Sequence, residues 1–148
     1  MDKTATDPFT VAFRGRFMNV LRWEQLDKLW EVLRRDSGNG WYLYATGELP
    51  PQEPASEEVL RAFLSEIDLL LRKEHDEDYC GIVYADSFDS PQFIKIYDPG
   101  NLGVSCGYSD NPPLPGWILS KLPPADLKSG GITPANRRRW WRRLLGGG

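Results

Sequence analysis

The chain has 148 residues, 41% apolar and 26% charged, which suits one domain with a real core and excludes a chain too polar to fold. Its net charge of −3 hides a split: residues 128–148 carry six cations and no acid, leaving twelve bases against twenty-one acids elsewhere. An acidic body argues against a general nucleic-acid-binding surface there. The start lacks the basic-then-apolar order of a secretory signal, and no apolar run nears the ~20 residues that cross a bilayer.

In chain order, Phe9 to Phe17 alternates, with Val11, Phe13 and Phe17 opposite Arg14 and Arg16, and predicts a half-buried strand. From Trp23 to Arg35, Leu26, Leu29, Trp30 and Leu33 fall at i, i+3, i+4 and i+7, one helical stripe, with Arg34 and Arg35 suiting the C-terminal dipole. Asp36 to Gly40 breaks the chain. The aromatic run Trp41 to Thr46 predicts a strand. Three prolines make Gly47 to Ala55 a loop. Ser56 then caps a helix whose buried stripe is Leu60, Phe63, Leu64, Ile67, Leu70 and Leu71, ending near Lys73.

His75 to Tyr108 reads as three short strands, Tyr79–Ala85, Phe93–Tyr97 and Leu102–Tyr108, with a turn at Asp98-Pro99-Gly100-Asn101. Short connections make antiparallel neighbours, hence a β-meander. The segment GWILSKL predicts one or two helical turns around Trp117, Ile118 and Leu122, stopped by Pro123 and Pro124. The resulting class is α+β, a two-layer domain of order β-α-β-α-β-β-β plus a short helix, the meander packed under two amphipathic helices. As far as the fourth strand this order resembles that of thioredoxin-like folds, although the C-x-x-C motif of their redox chemistry is absent. The domain is expected over 1–124, a flexible linker over 125–133 and a tail helix over 134–148.

Residue types that do chemistry gather in the meander block. Gly103-Val104-Ser105-Cys106-Gly107 fits the nucleophile-elbow pattern G-x-S-x-G, but the histidine that must follow is missing, since His75 lies upstream. Cys80 and Cys106 each share an apolar strand face, which suits inert core thiols more than reactive ones. Reduced cysteines fit a cytoplasm. His75, Asp76 and Asp78 are weak candidates for a metal or acid–base site, because adjacent side chains seldom converge on one point. No cofactor is implied, and no residue is assigned a catalytic role.

The tail carries the sharper signal. Thr133-Pro134 supplies a cap and a first helical position, and Gly146 a stop. At about 100° per residue, Trp140, Trp141, Leu144 and Leu145 occupy an arc of roughly 140°, opposite Arg138, Arg139, Arg142 and Arg143, while Arg137 falls under the apolar arc. A helix about 18 Å long cannot span a bilayer and is unstable alone, so its Trp/Leu face needs a surface. A partner protein, an anionic membrane and single-stranded RNA would each serve, RNA least because the acidic body repels it. Opposite charge within one chain also favours docking of the tail on its own domain. The expectation is a small cytoplasmic, bacterial-type accessory or adaptor protein without catalysis, peripheral at a membrane or part of an assembly. The rivals are a metal- or thiol-dependent enzyme and an RNA-binding accessory protein.

Overall fold

The computed structural model describes residues 7–100, 114–127 and 135–146. The elements in order are α1 (Pro8–Phe13), β1 (Met18–Asn19), α2 (Trp23–Arg35), β2 (Tyr42–Ala45), α3 (Glu57–Glu74), β3 (Val83–Ala85), β4 (Phe93–Ile96), β5 (Trp117–Ser120) and α4 (Ala135–Gly146). The five strands form one sheet in the order β1-β3-β4-β5-β2, and every pairing is antiparallel. The α+β class is as expected. β1 and β2 lie at opposite edges of the sheet, so the likeness to thioredoxin-like folds stops at element order.

Strand alternation divides the sheet into two faces. Leu43, Ala45, Val83, Ala85, Ile94, Ile96, Trp117 and Leu119 form one core with Leu26, Leu29, Trp30 and Leu33 of α2 and with Leu60, Phe63, Leu64 and Ile67 of α3. The two helices are also tied by polar contacts. Trp30 Nε1–H donates to Asp68 Oδ1 (3.1 Å), and Arg72 bridges Asp68 and Asp27. α3 starts on its expected cap, with Val59 N–H donating to Ser56 Oγ (3.2 Å). α2 starts on Gln25, whose Oε1 accepts from the backbone N–H groups of Leu21 and Arg22.

The opposite face holds a second core of Phe9, Tyr44, Phe93 and Ile118, with Phe13, Phe17, Ala125 and Leu127 packed against it. This corrects the first expected strand: Phe9 to Phe17 opens as a helix. Asp7 caps it, accepting from Thr10 N–H (2.9 Å) and Thr10 Oγ1–H (2.6 Å), with Pro8 at the first helical position. These bonds hold the Asp7 carboxyl below its ordinary range. The helix turns Phe9 and Phe13 toward the sheet and leaves Val11 exposed, whereas alternation would have put Val11 and Phe13 together.

The second correction is GWILSKL. Trp117–Ser120 is a strand, not a helical turn, and all four residues are buried. It lies between β4 and β2, and both its faces are covered, Trp117 and Leu119 by the main core and Ile118 by the second, so the apolar run is continuous instead of alternating. It closes the meander β3-β4-β5. The strand expected over Leu102–Tyr108 falls outside the described residues.

Pairing of β1 with β3 continues past their ends: Val20 N–H donates to Val83 O, Gly81 N–H to Val20 O and Cys80 N–H to Leu21 O. Gly81 stands at φ 72°, as in a bulge that bends the strand back. There a Cβ would also meet the Tyr79 ring at 3.0 Å, but that ring is exposed and can shift. Gly81→Ala is therefore expected to cost about 1–2 kcal/mol in urea denaturation, mostly as backbone strain. Gly81→Asn, which tolerates the left-handed region, should cost less. Equal costs for both would remove strain as the cause.

Candidate functional site: the docked arginine helix

The C-terminal helix lies against α3, with contacts from Phe63 to Glu74. Trp141 is 7% exposed and belongs to the main core, with Trp140 and Leu144 packed beside it. The Phe63 ring of α3 meets Trp140 and Trp141 edge-on, both at 6.2 Å, and Trp117 of β5 meets Trp140 at 5.5 Å. Edge-to-face pairs of this kind add about 0.5–1.5 kcal/mol each beyond area burial. The helix, too short to hold itself in water, is held by this contact. Thr133 and Pro134, its expected cap and first turn, lie outside the described residues.

Arg137, the arginine that falls under the apolar arc, explains itself in three dimensions. Its Nε–H donates to Asp98 Oδ2 (2.9 Å) and an Nη2–H to Asp98 Oδ1 (3.0 Å), a two-pronged pair. Nη1–H reaches Glu74 Oε2 (3.0 Å), and Nη2 also bonds Glu74 Oε1. The side chains of Arg137 and Asp98 are 11% and 8% exposed. Hydrogen bonds donated to Asp98, opposed by burial and reinforced by Glu74, hold the guanidinium above its ordinary value. Asp98 follows β4 and its Oδ1 also accepts from Gly100 N–H (2.8 Å), so a turn orients it before the arginine arrives. A Cβ on Gly116 would stand 3.2 Å from Asp98 Cβ, so glycine leaves room for that carboxylate.

With the aromatic side turned inward, Arg138, Arg139, Arg142 and Arg143 are exposed, and Leu145 is 44% exposed. Arg138/Arg142 and Arg139/Arg143 are i, i+4 pairs, so the four cations form one ridge about 7.5 Å long. Of the eight expected site residues, five face solvent while Trp140, Trp141 and Leu144 face the body.

His75 ends α3, its ring between Trp23 (6.2 Å) and Tyr79 (5.9 Å), with a buried Nε2 that has no hydrogen-bond partner. Asp76 and Asp78 are exposed, and among the described residues no three His, Cys, Asp or Glu side chains gather as a metal ion needs. Cys80 is a buried free thiol whose burial pushes its pKa up, away from the thiolate that attacks or ligates. Ser105 and Cys106 lie outside the described residues. Among those described, no helix is long and apolar enough to cross a membrane.

The receptor residues Phe63, Asp98, Glu74 and Trp117 were missed as part of this site. One signal pointed to them: an arginine on the apolar side of a helix requires a carboxylate on the surface that helix covers. Comparison with protein-family models, with curated proteins and with solved structures finds no match, so the function has to be argued from this geometry.

Proposed function

We propose that this protein is a non-catalytic cytoplasmic adaptor whose body presents α4 as a fixed cationic ridge to an acidic partner protein. The observation that carries this reading is the division of α4: tryptophans packed on Phe63 and Trp117, four arginines turned outward. A membrane surface would want the tryptophans as interfacial anchors, and the docked helix has already used them. The arginines alone would supply about 4 kcal/mol at an anionic bilayer, which corresponds to roughly millimolar binding. Carboxylates on a protein surface take arginine forks in pairs and make better use of a rigid ridge. Residence in a cytoplasm fits the free thiol of Cys80.

The test uses poly-L-glutamate as a chemical stand-in for the partner, and phosphatidylserine vesicles in parallel. Binding of poly-L-glutamate should weaken at least about tenfold between 50 and 200 mM salt. It should disappear when Arg138, Arg139, Arg142 and Arg143 are all changed to Ser, with the melting temperature kept within a few degrees. Vesicles should not co-sediment at about 150 mM salt. Polyglutamate binding that survives the fourfold change overturns the proposal, and vesicle binding lost in that variant transfers it to a membrane.

A further inference from the structure

Two oppositely charged surfaces stand exposed on this protein. One is the arginine ridge of α4. The other is Asp76-Glu77-Asp78, the turn that follows α3, and among the described residues no ion pair engages either set. The turn is held in place. His75 N–H donates to Leu71 O (2.8 Å), Glu77 N–H to His75 O (2.9 Å) and Trp23 Nε1–H to Glu77 O (3.0 Å). Three carboxylates here also oppose the helix dipole, whose negative pole is the C-terminal end of α3. Of the cations in its last turn, Arg72 is engaged by Asp68 and Asp27, so Lys73 leaves an excess of acid. The turn is thus a fixed acidic surface that gains from a further cation nearby. Exposed apolar side chains border both surfaces. Tyr79 and Leu21 lie beside the acids, tied by the Cys80 N–H bond to Leu21 O, and Leu145 lies beside Arg138 and Arg142 on the helix.

We propose, resting on the adaptor reading, that the acidic partner of the ridge is the acid turn of a second copy of this chain, and that two copies exchange these surfaces about a twofold axis. The ridge is turned away from the acids of its own chain. Arg137 aims at Glu74, and Arg138, Arg139, Arg142 and Arg143 stand roughly 100° to 160° around the helix from it. Ridge and turn nevertheless flank the same ion pair, since Arg138 follows Arg137 and Asp76 comes two residues after Glu74. A contact in one direction therefore leaves the reciprocal contact within reach, and the pair closes as a dimer instead of growing into a filament. In each contact the ridge arginines meet Asp76, Glu77 and Asp78, and Leu145 meets the apolar side chains beside them. Neither surface has to be ordered on binding, because Arg137 fixes one and Trp23 the other. Two contacts made together hold where one exposed set of ion pairs would be weak.

Sedimentation equilibrium of the full chain at about 50 mM salt should show the mass rising with concentration from 16.9 kDa toward about twice that, and returning to the monomer at about 500 mM salt. One variant reverses the ridge (Arg138→Glu, Arg139→Glu, Arg142→Glu and Arg143→Glu), and another reverses the turn (Asp76→Lys, Glu77→Lys and Asp78→Lys). Each should be monomeric by itself at every concentration. Mixed, the two should form a heterodimer, because both of its contacts again join opposite charges. Where a reversal disturbs the circular dichroism of the fold, the isosteric Asp76→Asn, Glu77→Gln and Asp78→Asn change should still weaken the dimer at least about tenfold. An intact chain that stays monomeric yet binds poly-L-glutamate through the ridge overturns the second copy as partner and leaves the adaptor reading standing. A dimer that persists in the turn variants, or a mixture that yields no heterodimer, overturns it as well. Poly-L-glutamate binding that ignores the ridge sinks the adaptor reading itself, and this proposal with it.

Discussion

Arg137→Ala is expected to release α4 while the rest of the domain stays folded. The substitution removes the guanidinium that satisfies Asp98, a carboxylate only 8% exposed, and breaking such a pair from one side costs about 3–5 kcal/mol. The cost has an escape. Once α4 lifts away, water reaches Asp98 and Glu74, so the penalty appears as undocking and not as collapse of the sheet. Trp140 and Trp141 then enter water, and their fluorescence should shift to the red. Trypsin should cut at Arg138 to Arg143 at least about a hundredfold faster, since 1.4 kcal/mol is a factor of ten. Arg137→Lys keeps the charge but not the two-pronged geometry and should fall between the two. An unchanged emission maximum with unchanged trypsin resistance would mean that the aromatic contact with Phe63 alone holds the helix.

The second large effect is expected at Phe93, on the other side of the sheet. Phe93→Ala should lower stability by about 3–5 kcal/mol in urea denaturation. Phe93 is 2% exposed, and its ring lies 5.1 Å from Phe9, 6.3 Å from Phe13 and 5.5 Å from Phe17. Removing it takes away the surface on which α1 rests, and a six-residue helix has no stability of its own. The neighbouring Ile94→Val, on the main core face, should cost only about 0.5–1.5 kcal/mol because one methylene is lost. A Phe93→Ala cost below about 1 kcal/mol would show that α1 does not cover this face in solution.

The adaptor reading and the docked helix are linked by one consequence. A ridge fixed on α3 by Trp141 and Arg137 loses less side-chain and backbone freedom on binding than a disordered basic tail would. The Arg137→Ala protein keeps the four ridge arginines but not their fixed placement. It should therefore bind poly-L-glutamate more weakly than the intact protein, although its loss of charge is only one.

Legibility in the sequence followed the range of the interactions. α2 and α3 were readable because their stripes repeat every 3.6 residues over 13 and 18 positions, long enough for the pattern to outweigh any neighbour. β2, β3 and β4 were placed by β-branched and aromatic runs between turn residues, with ends misjudged by a few positions. Asp7-Pro8 was a local helix signal, and reading alternation ahead of it produced the wrong element. Trp117 to Ser120 carried no local cue that separates a buried strand from a buried turn of helix, because a segment covered on both faces shows no period.

The ridge of α4 is the feature on which the two kinds of information divide. Sequence by itself determined that residues 137–145 would make a helix with tryptophans on one side and arginines on the other, because that depends only on the 100° turn per residue. It could not say which side would be spent at home. That was decided by Asp98, Glu74, Phe63 and Trp117, which are 23 to 78 positions away in sequence from the residues they contact on α4. Only the packing of α3 against the sheet brings them to one spot, and only there do a buried carboxylate and an aromatic ledge select the inward face of the helix.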